Sequence, residues 1–163
     1  MKSFKTYLSE RIKLRGFNSK TKKIEQFLQD YYANTEDHPF NSKVRIYKGA
    51  MLEISPWGNE IHIGDITSTA PRSGAGTAGI KFLTSLADKH NVKLDLTAKA
   101  YSNDSKRIGN TEKLARWYQR LGFKVDPTSI PSDDFEGLDQ IDMKYWPGTI
   151  GKKGAPVKQR KGK

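Results

Sequence analysis

One segment limits the folds open to this chain more than any other. A strand-like run over residues 59–70 leads through Pro71 and Arg72 into Ser73-Gly74-Ala75-Gly76-Thr77-Ala78-Gly79, and then into an apolar helical stretch holding Ile80, Leu83, Leu86 and Ala87. A strand that turns on glycines into a helix belongs to a mixed fold, not to an all-helical or all-strand one. The same turn suits phosphate: residues without side chains admit a diphosphate to the backbone, and first-turn amides add positive potential.

The flanking segments extend the mixed pattern. Residues 10–16 alternate loosely as a short first strand. Asn18 and Ser19 offer a helix N-cap, and Ile24, Phe27, Leu28, Tyr31 and Tyr32 form one apolar helical stripe, closed by Asp37-His38-Pro39. Residues 43–55 and 59–70 read as a two-stranded hairpin around Pro56-Trp57-Gly58. Within it Ile61, Ile63 and Ile66 mark the apolar face, and Gly64 marks a bulge. Asn91 ends the second helix, and Val92, Leu94, Leu96, Ala98 and Ala100 alternate as a strand. A polar loop over 102–109 precedes a helix over 111–121 with Leu114, Trp117, Tyr118 and Leu121 on one side and Gly122 as C-cap. Residues 123–125 and 141–146 close the sheet around an acidic loop, 132–136. The reading is an α/β (α+β) fold: a mixed, mostly antiparallel sheet flanked by helices, over residues 10–146.

Charge separates that domain from its ends. The 163 residues carry a net charge of +11. Residues 1–24 hold eight Lys/Arg and one Glu, residues 147–163 hold six and no acid, and the stretch between is slightly acidic. Gly, Pro and Lys/Arg dominate 147–163, with only Ile150, Ala155 and Val157 to bury, so this segment reads as a disordered basic tail. With no cysteine there is no disulfide framework and no thiolate ligand or nucleophile. No run approaches the ~18 apolar residues of a spanning helix, and the N-terminus has no apolar signal region. A cytoplasmic protein is expected.

Three families use a glycine turn of this kind. The Walker loop needs lysine after its last glycine, where Ile80 stands. The dinucleotide fingerprint Gly-x-Gly-x-x-Gly is met by Gly74, Gly76 and Gly79, but it requires further βα units and an acid at the end of the next strand, whereas Asp95 lies mid-strand. The third reading covers most of the chain. The turn Ser73-Gly-Ala-Gly-Thr-Ala78 and the block Leu114-Ala-Arg-Trp-Tyr118-Gln-Arg-Leu-Gly122-Phe123-Lys-Val125 resemble the GNAT superfamily of acyl-CoA-dependent N-acetyltransferases, as does the order of elements over about 10–146. The departures are Arg72 and Asn110 standing one residue early, one early helix where two are common, and a longer loop over 102–110.

The resemblance implies acetyl-CoA as acyl donor, lying where the strand ending near Ala70 splays from that of residues 92–100. It implies pantetheine pairing with the backbone of Ile66–Ser68, pyrophosphate on the amides of Ser73, Gly74, Ala75, Gly76, Thr77 and Ala78 with Arg72, and a pantetheine contact from Asn110. The acceptor is an amine, on a protein, an RNA-linked aminoacyl group or a small molecule, and it attacks directly in a ternary complex. Such transfer needs a neutral amine, an amide donor for the developing oxyanion and a proton for the thiolate. Tyr118 is the implied proton donor, because a phenol near pKa 10 can protonate a thiolate whose thiol titrates near 8.5; from its stripe alone, Tyr118 reads as a core residue. The general base stays open among Glu53, Glu60, His62, Asp65 and a water chain. His38, His62 and His90 are too scattered for a metal set, and none is required. Trp57, Trp117 and Trp146 read as structural.

The two ends carry a separate expectation. Met1-Lys-Ser-Phe-Lys-Thr-Tyr-Leu8-Ser9-Glu10 resembles capsid-targeting leaders of internal head proteins of tailed bacteriophages, cut after Leu-x-Glu. The tail lysines, Lys152, Lys153, Lys158, Lys161 and Lys163, suit nucleic acid or the ribosome through counterion release. The alternatives to catalysis are therefore a packaged, nucleic-acid-associated virion protein on the same fold, or a dinucleotide-binding protein.

Overall fold

The computed structural model describes residues 19–69, 73–100, 107–129 and 137–148, apart from the side chains of 19–21 and 107–109. The expected first strand over 10–16, the leader, Ala70–Arg72, the acidic loop over 132–136 and the tail beyond 148 lie outside them. Among the described residues three helices, α1 (Ser19–Ala33), α2 (Ala75–His90) and α3 (Arg107–Arg120), accompany seven strands: β1 (Glu36–Asp37), β2 (Val44–Tyr47), β3 (Ala50–Trp57), β4 (Glu60–Ser68), β5 (Lys93–Ala98), β6 (Lys124–Val125) and β7 (Ile141–Tyr145). They form one sheet in the order β1-β2-β3-β4-β5-β7-β6, antiparallel everywhere except β4–β5. One parallel pair does not make the doubly wound sheet a dinucleotide site requires.

Alternation along the strands decides which face is covered. Ala50 and Leu52, Ile61 and Ile63, Leu94, Leu96 and Ala98, and Ile141, Met143 and Tyr145 are buried on one face. Against that face lie the α1 stripe (Ile24, Phe27, Leu28, Tyr31), the α2 residues Ile80, Leu83, Leu86 and Ala87, and Ala115, Tyr118 and Leu121 of α3. The Tyr31 hydroxyl, buried, donates to the Leu52 carbonyl at 3.3 Å. Tyr145, with no exposed surface, donates to Asp88 of α2. The opposite face carries Glu53, Asp65, Glu60, His62, Asp95, Asp142 and Lys144.

Several boundaries differ from the sequence expectation, each for a local reason. Residues 43–55 fold as two strands, because Lys48 (φ 46) and Gly49 (φ 85) make a two-residue positive-φ turn of the kind that closes tight hairpins. The β3–β4 turn is Gly58-Asn59, with Trp57 paired to Glu60, so Pro56 lies inside β3. It is tolerated there because β2 pairs β3 only from Ala50 to Glu53, leaving β3 an edge at Pro56. Helix α1 ends at Ala33, ahead of the proline, where the Thr35 hydroxyl bonds the Tyr31 carbonyl; Glu36–Asp37 then pairs with Arg45–Ile46. Helix α3 starts at Arg107 rather than at 111. The other two helices end as read. Asn91 sits in the left-handed region with Val92 N–H bonded to Ala87 O, and Gly122 (φ 101) directs Phe123 N–H to Tyr118 O and its own N–H to Gln119 O.

Asp30 of α1 ties that helix to the end of α2: its carboxylate accepts from Lys89 Nζ and from His90 Nε2, each at 2.7 Å. The Lys89 bond, then the His90 bond, hold the Asp30 carboxyl below its usual range. A depressed carboxyl contributes stability that is whole above its unfolded-state pKa of about 3.9 and drains as pH falls through the folded value. Asp30→Asn should therefore lower stability at neutral pH and flatten the loss below about pH 4; urea midpoints from pH 3 to 7 check it. A parallel offset at every pH would show that the carboxylate charge is not responsible.

Candidate functional site

The site begins with one extra residue in β4. Ile54 pairs with Ile63 and Glu53 with Asp65, so Gly64 has no opposite number on β3. This bulge turns Ile66 to the same face as Ile63 three positions earlier, and it bends the strand. A side chain at Gly64 would crowd Glu53, whose Oε1 lies 3.2 Å from the position of a Cβ. The consequence is a split in the sheet. The β4–β5 ladder runs from Glu60–Lys93 to Ile63–Leu96 and ends, while β4 follows β3 to the Ser68–Ala50 pair and β5 follows β7 to the Ala98–Ile141 pair. A wedge opens between them toward the carboxyl ends of both strands, the place where a mixed sheet takes a ligand.

The glycine turn stands at the wide end of that wedge. Gly74 (φ 83) is the N-cap of α2, and no side chain caps the helix from that position. Ser73 Oγ accepts from Ala75 N–H and lies 3.4 Å from Ser68 Oγ, joining the turn to β4. The three glycines of the fingerprint spacing do three different things. Gly74 supplies the left-handed bend and has open space where a Cβ would stand. At Gly76 a Cβ would lie 3.7 Å from the Trp117 indole, an ordinary contact, and that indole donates to Thr77 Oγ1 at 3.3 Å. Gly79 lets α2 seat on β3, since a Cβ there would meet Ala50 Cβ at 2.9 Å and Leu52 Cδ2 at 3.0 Å. Gly79 is thus a packing position, which the spacing alone did not distinguish from ligand-facing ones. Arg72 lies outside the described residues.

Helix α3 forms the next wall. Thr111 Oγ1 accepts from Ala100 N–H and donates to Asp139 O, pinning the first turns of α3 to the chain just past β5. Asn110 lies within α3 and is exposed, next to Thr111. Tyr118 lies on the buried side of α3 beside Phe123, whose ring in turn lies 5.5 Å from that of Tyr145 on β7. Tyr118 is 8% exposed, with its ring 4.8 Å from Trp117 and 5.6 Å from Phe123.

The uncovered face holds the candidate bases, in unequal surroundings. Glu60 accepts from Lys144 Nζ with both oxygens, at 3.1 and 3.0 Å. Burial opposes the Lys144 ammonium, but the Glu60 hydrogen bond and charge outweigh it and raise its pKa. Glu53 and Asp65 stand opposite each other at the bulge. His62 Nδ1 lies 3.1 Å from Asp95 Oδ1, each side chain about one-third exposed. Trp57, expected to be structural, is 75% exposed, its ring 6.5 Å from that of His62. Asp95 and Lys144 carry no sequence signal as partners of His62 and Glu60; they are 33 and 84 residues away, and only the register brings them together. His38 and His90 have other partners, Phe40 N–H and Asp30. Among the described residues no three His, Asp or Glu side chains gather as a metal site, and no helix is long and apolar enough to cross a membrane.

No protein-family model matches this sequence, and no curated protein matches it. Two solved structures are similar in shape. The crystal structure of the anti-CRISPR protein AcrVA5 shares 24% identity at a TM-score of 0.44, covering 61% of this chain and 93% of that one. A Bacteroides thetaiotaomicron protein assigned to the GNAT family of acetyltransferases shares 10% identity at a TM-score of 0.41, covering 77% and 79%.

Proposed function

We propose that this chain is an acyl-CoA-dependent N-acetyltransferase of GNAT type that moves an acetyl group from acetyl-CoA to an amine. The observation that carries the reading is the wedge itself: a sheet split at a bulge, opening toward a glycine turn and the N-terminus of α2. A slim, amide-bearing arm with a diphosphate at its end suits that shape. The backbone of Ile66 and Ser68 would pair with the pantetheine amides as an added strand pairs with an edge. The amides of Gly74, Gly76 and Thr77, with Ser73 and Arg72, would hold the pyrophosphate at the positive end of α2; those of Ala75 and Ala78 are already bonded, to Ser73 Oγ and to the Gly74 carbonyl. Asn110 would reach the pantetheine from α3. Tyr118 would hand its phenolic proton to the departing sulfur. The thioester supplies an activated acyl carbon; the chain supplies orientation and proton transfer.

Thermal unfolding with acetyl-CoA, and with NAD and ATP as controls, tests the reading. A ligand at 100 times its Kd adds about 2.7 kcal/mol, or roughly 5–10 °C for a chain of this length. A rise with acetyl-CoA alone is expected. No rise, or a larger one with NAD, would overturn the assignment.

A further inference from the structure

We propose that His62, oriented by Asp95, is the group that takes the proton from a cationic acceptor amine, so that the two proton-transfer groups of the site act from opposite faces of one sheet. The inference rests on the acetyltransfer reading. A wedge between strands is open to both faces of a sheet, and here the faces differ. Tyr118 belongs to the helix-covered face. On the other, the His62–Asp95 pair is the rung next to the last before the split, below only Ile63–Leu96.

The four carboxylate and imidazole candidates on that face are separated by their partners. Glu60 is bound by the Lys144 ammonium through both oxygens, so it must break an ion pair to accept a proton. Glu53 and Asp65 oppose each other across the bulge, away from β5, and two like charges there attract an ammonium. His62 differs. An ionised carboxylate only accepts hydrogen bonds, so Asp95 fixes the neutral imidazole with its proton on Nδ1 and leaves Nε2 as the acceptor. At one-third exposure the ring is reachable by an acceptor amine and by the water that must later remove its proton. The charged groups around it are Asp95 and Lys93 from β5, Glu60 on its own strand, Lys144 from β7, and Glu53 and Asp65 at the bulge. The neutral ring of Trp57 lies beside it, from β3.

The transfer balances with these groups. The acceptor ammonium gives one proton to His62 Nε2, which passes it to water. The freed nitrogen bonds the acyl carbon as the carbon–sulfur bond breaks, and a second proton from that nitrogen ends on sulfur by way of Tyr118. Products are the amide, the free thiol and one proton in solution.

The test uses the full chain, acetyl-CoA and two nucleophiles at high concentration: n-propylamine, which is protonated at neutral pH, and hydroxylamine, which is not. His62→Gln should lower kcat with n-propylamine about 10²-fold at pH 7 and change turnover with hydroxylamine less than about threefold. Asp95 is a positioning residue, and Asp95→Asn should lose about tenfold with n-propylamine and shift the acid limb of its pH–rate profile. Both variants should keep the acetyl-CoA thermal shift. Equal losses with both nucleophiles, or an unchanged profile and rate, would overturn the role of His62 while leaving acetyl transfer standing. A wild-type chain that shows no acetyl-CoA shift and releases no thiol with either nucleophile would overturn both.

Discussion

Replacing Gly79 with valine should lower the unfolding midpoint by roughly 6–12 °C and abolish any stabilisation by acetyl-CoA. The reason is the seat of α2 on β3. A Cβ at this position would stand 2.9 Å from Ala50 Cβ and 3.0 Å from Leu52 Cδ2. Ala50 has no rotamer with which to yield, and Leu52 is fully buried. Alanine would gain about 1 kcal/mol of helix propensity over glycine, but overpacking costs about 1–3 kcal/mol, so Gly79→Ala should be a net loss of about 1 kcal/mol. Valine adds two further methyl groups to the same contact, for about 3 kcal/mol in all, and each kcal/mol moves the midpoint about 2–4 °C at this size. Relief is possible only by lifting α2 off β3, which displaces the glycine turn from the wedge. The neighbouring fingerprint position gives the control. At Gly76 a Cβ meets Trp117 at 3.7 Å, an ordinary contact, so Gly76→Ala should be neutral or slightly stabilising. Calorimetry of the three variants gives the order; a Gly79→Ala chain as stable as wild type would show that α2 does not sit as described.

That contrast shows where sequence reasoning stopped. Gly74, Gly76 and Gly79 fit a phosphate-loop spacing equally well, yet what each glycine faces is a matter of tertiary packing. Periodic signals survived better. The α1 stripe from Ile24 to Tyr31 is buried as its spacing implied, and the Ile61, Ile63, Ile66 sequence located the bulge because an extra residue is the natural way to keep all three on one face. Gly122 and Asn91 ended their helices because a left-handed residue releases the chain there. The Lys48-Gly49 turn leaves little trace in the sequence, since lysine is not a turn residue by preference and its positive φ goes with the pairing of β2 with β3. The His62–Asp95 and Glu60–Lys144 contacts were illegible for another reason: parallel β4–β5 register and antiparallel β5–β7 register together create them, and neither leaves a local trace.

Tyr118→Phe should lower kcat for acetyl transfer by roughly ten- to a thousand-fold while leaving acetyl-CoA binding nearly unchanged. The substitution removes one oxygen and keeps the ring, so the packing of Tyr118 against Trp117 and Phe123 persists, as does the backbone turn in which its carbonyl accepts from Phe123 N–H. A purely structural tyrosine would therefore show no loss of rate, since its apolar contacts remain. A proton donor loses the single group that matters: without the phenol, an alkyl thiolate must leave unprotonated or wait for water, which the 8% exposure of this position restricts. Tyr118→Ala is the complementary variant, expected to lose rate and also to unfold at lower temperature, because a buried ring deleted from this position leaves a cavity worth about 3–5 kcal/mol. Steady-state turnover set beside the acetyl-CoA thermal shift separates the cases. A Phe variant with wild-type kcat would move the proton to another donor, and a Phe variant that also loses the shift would make Tyr118 a binding residue instead.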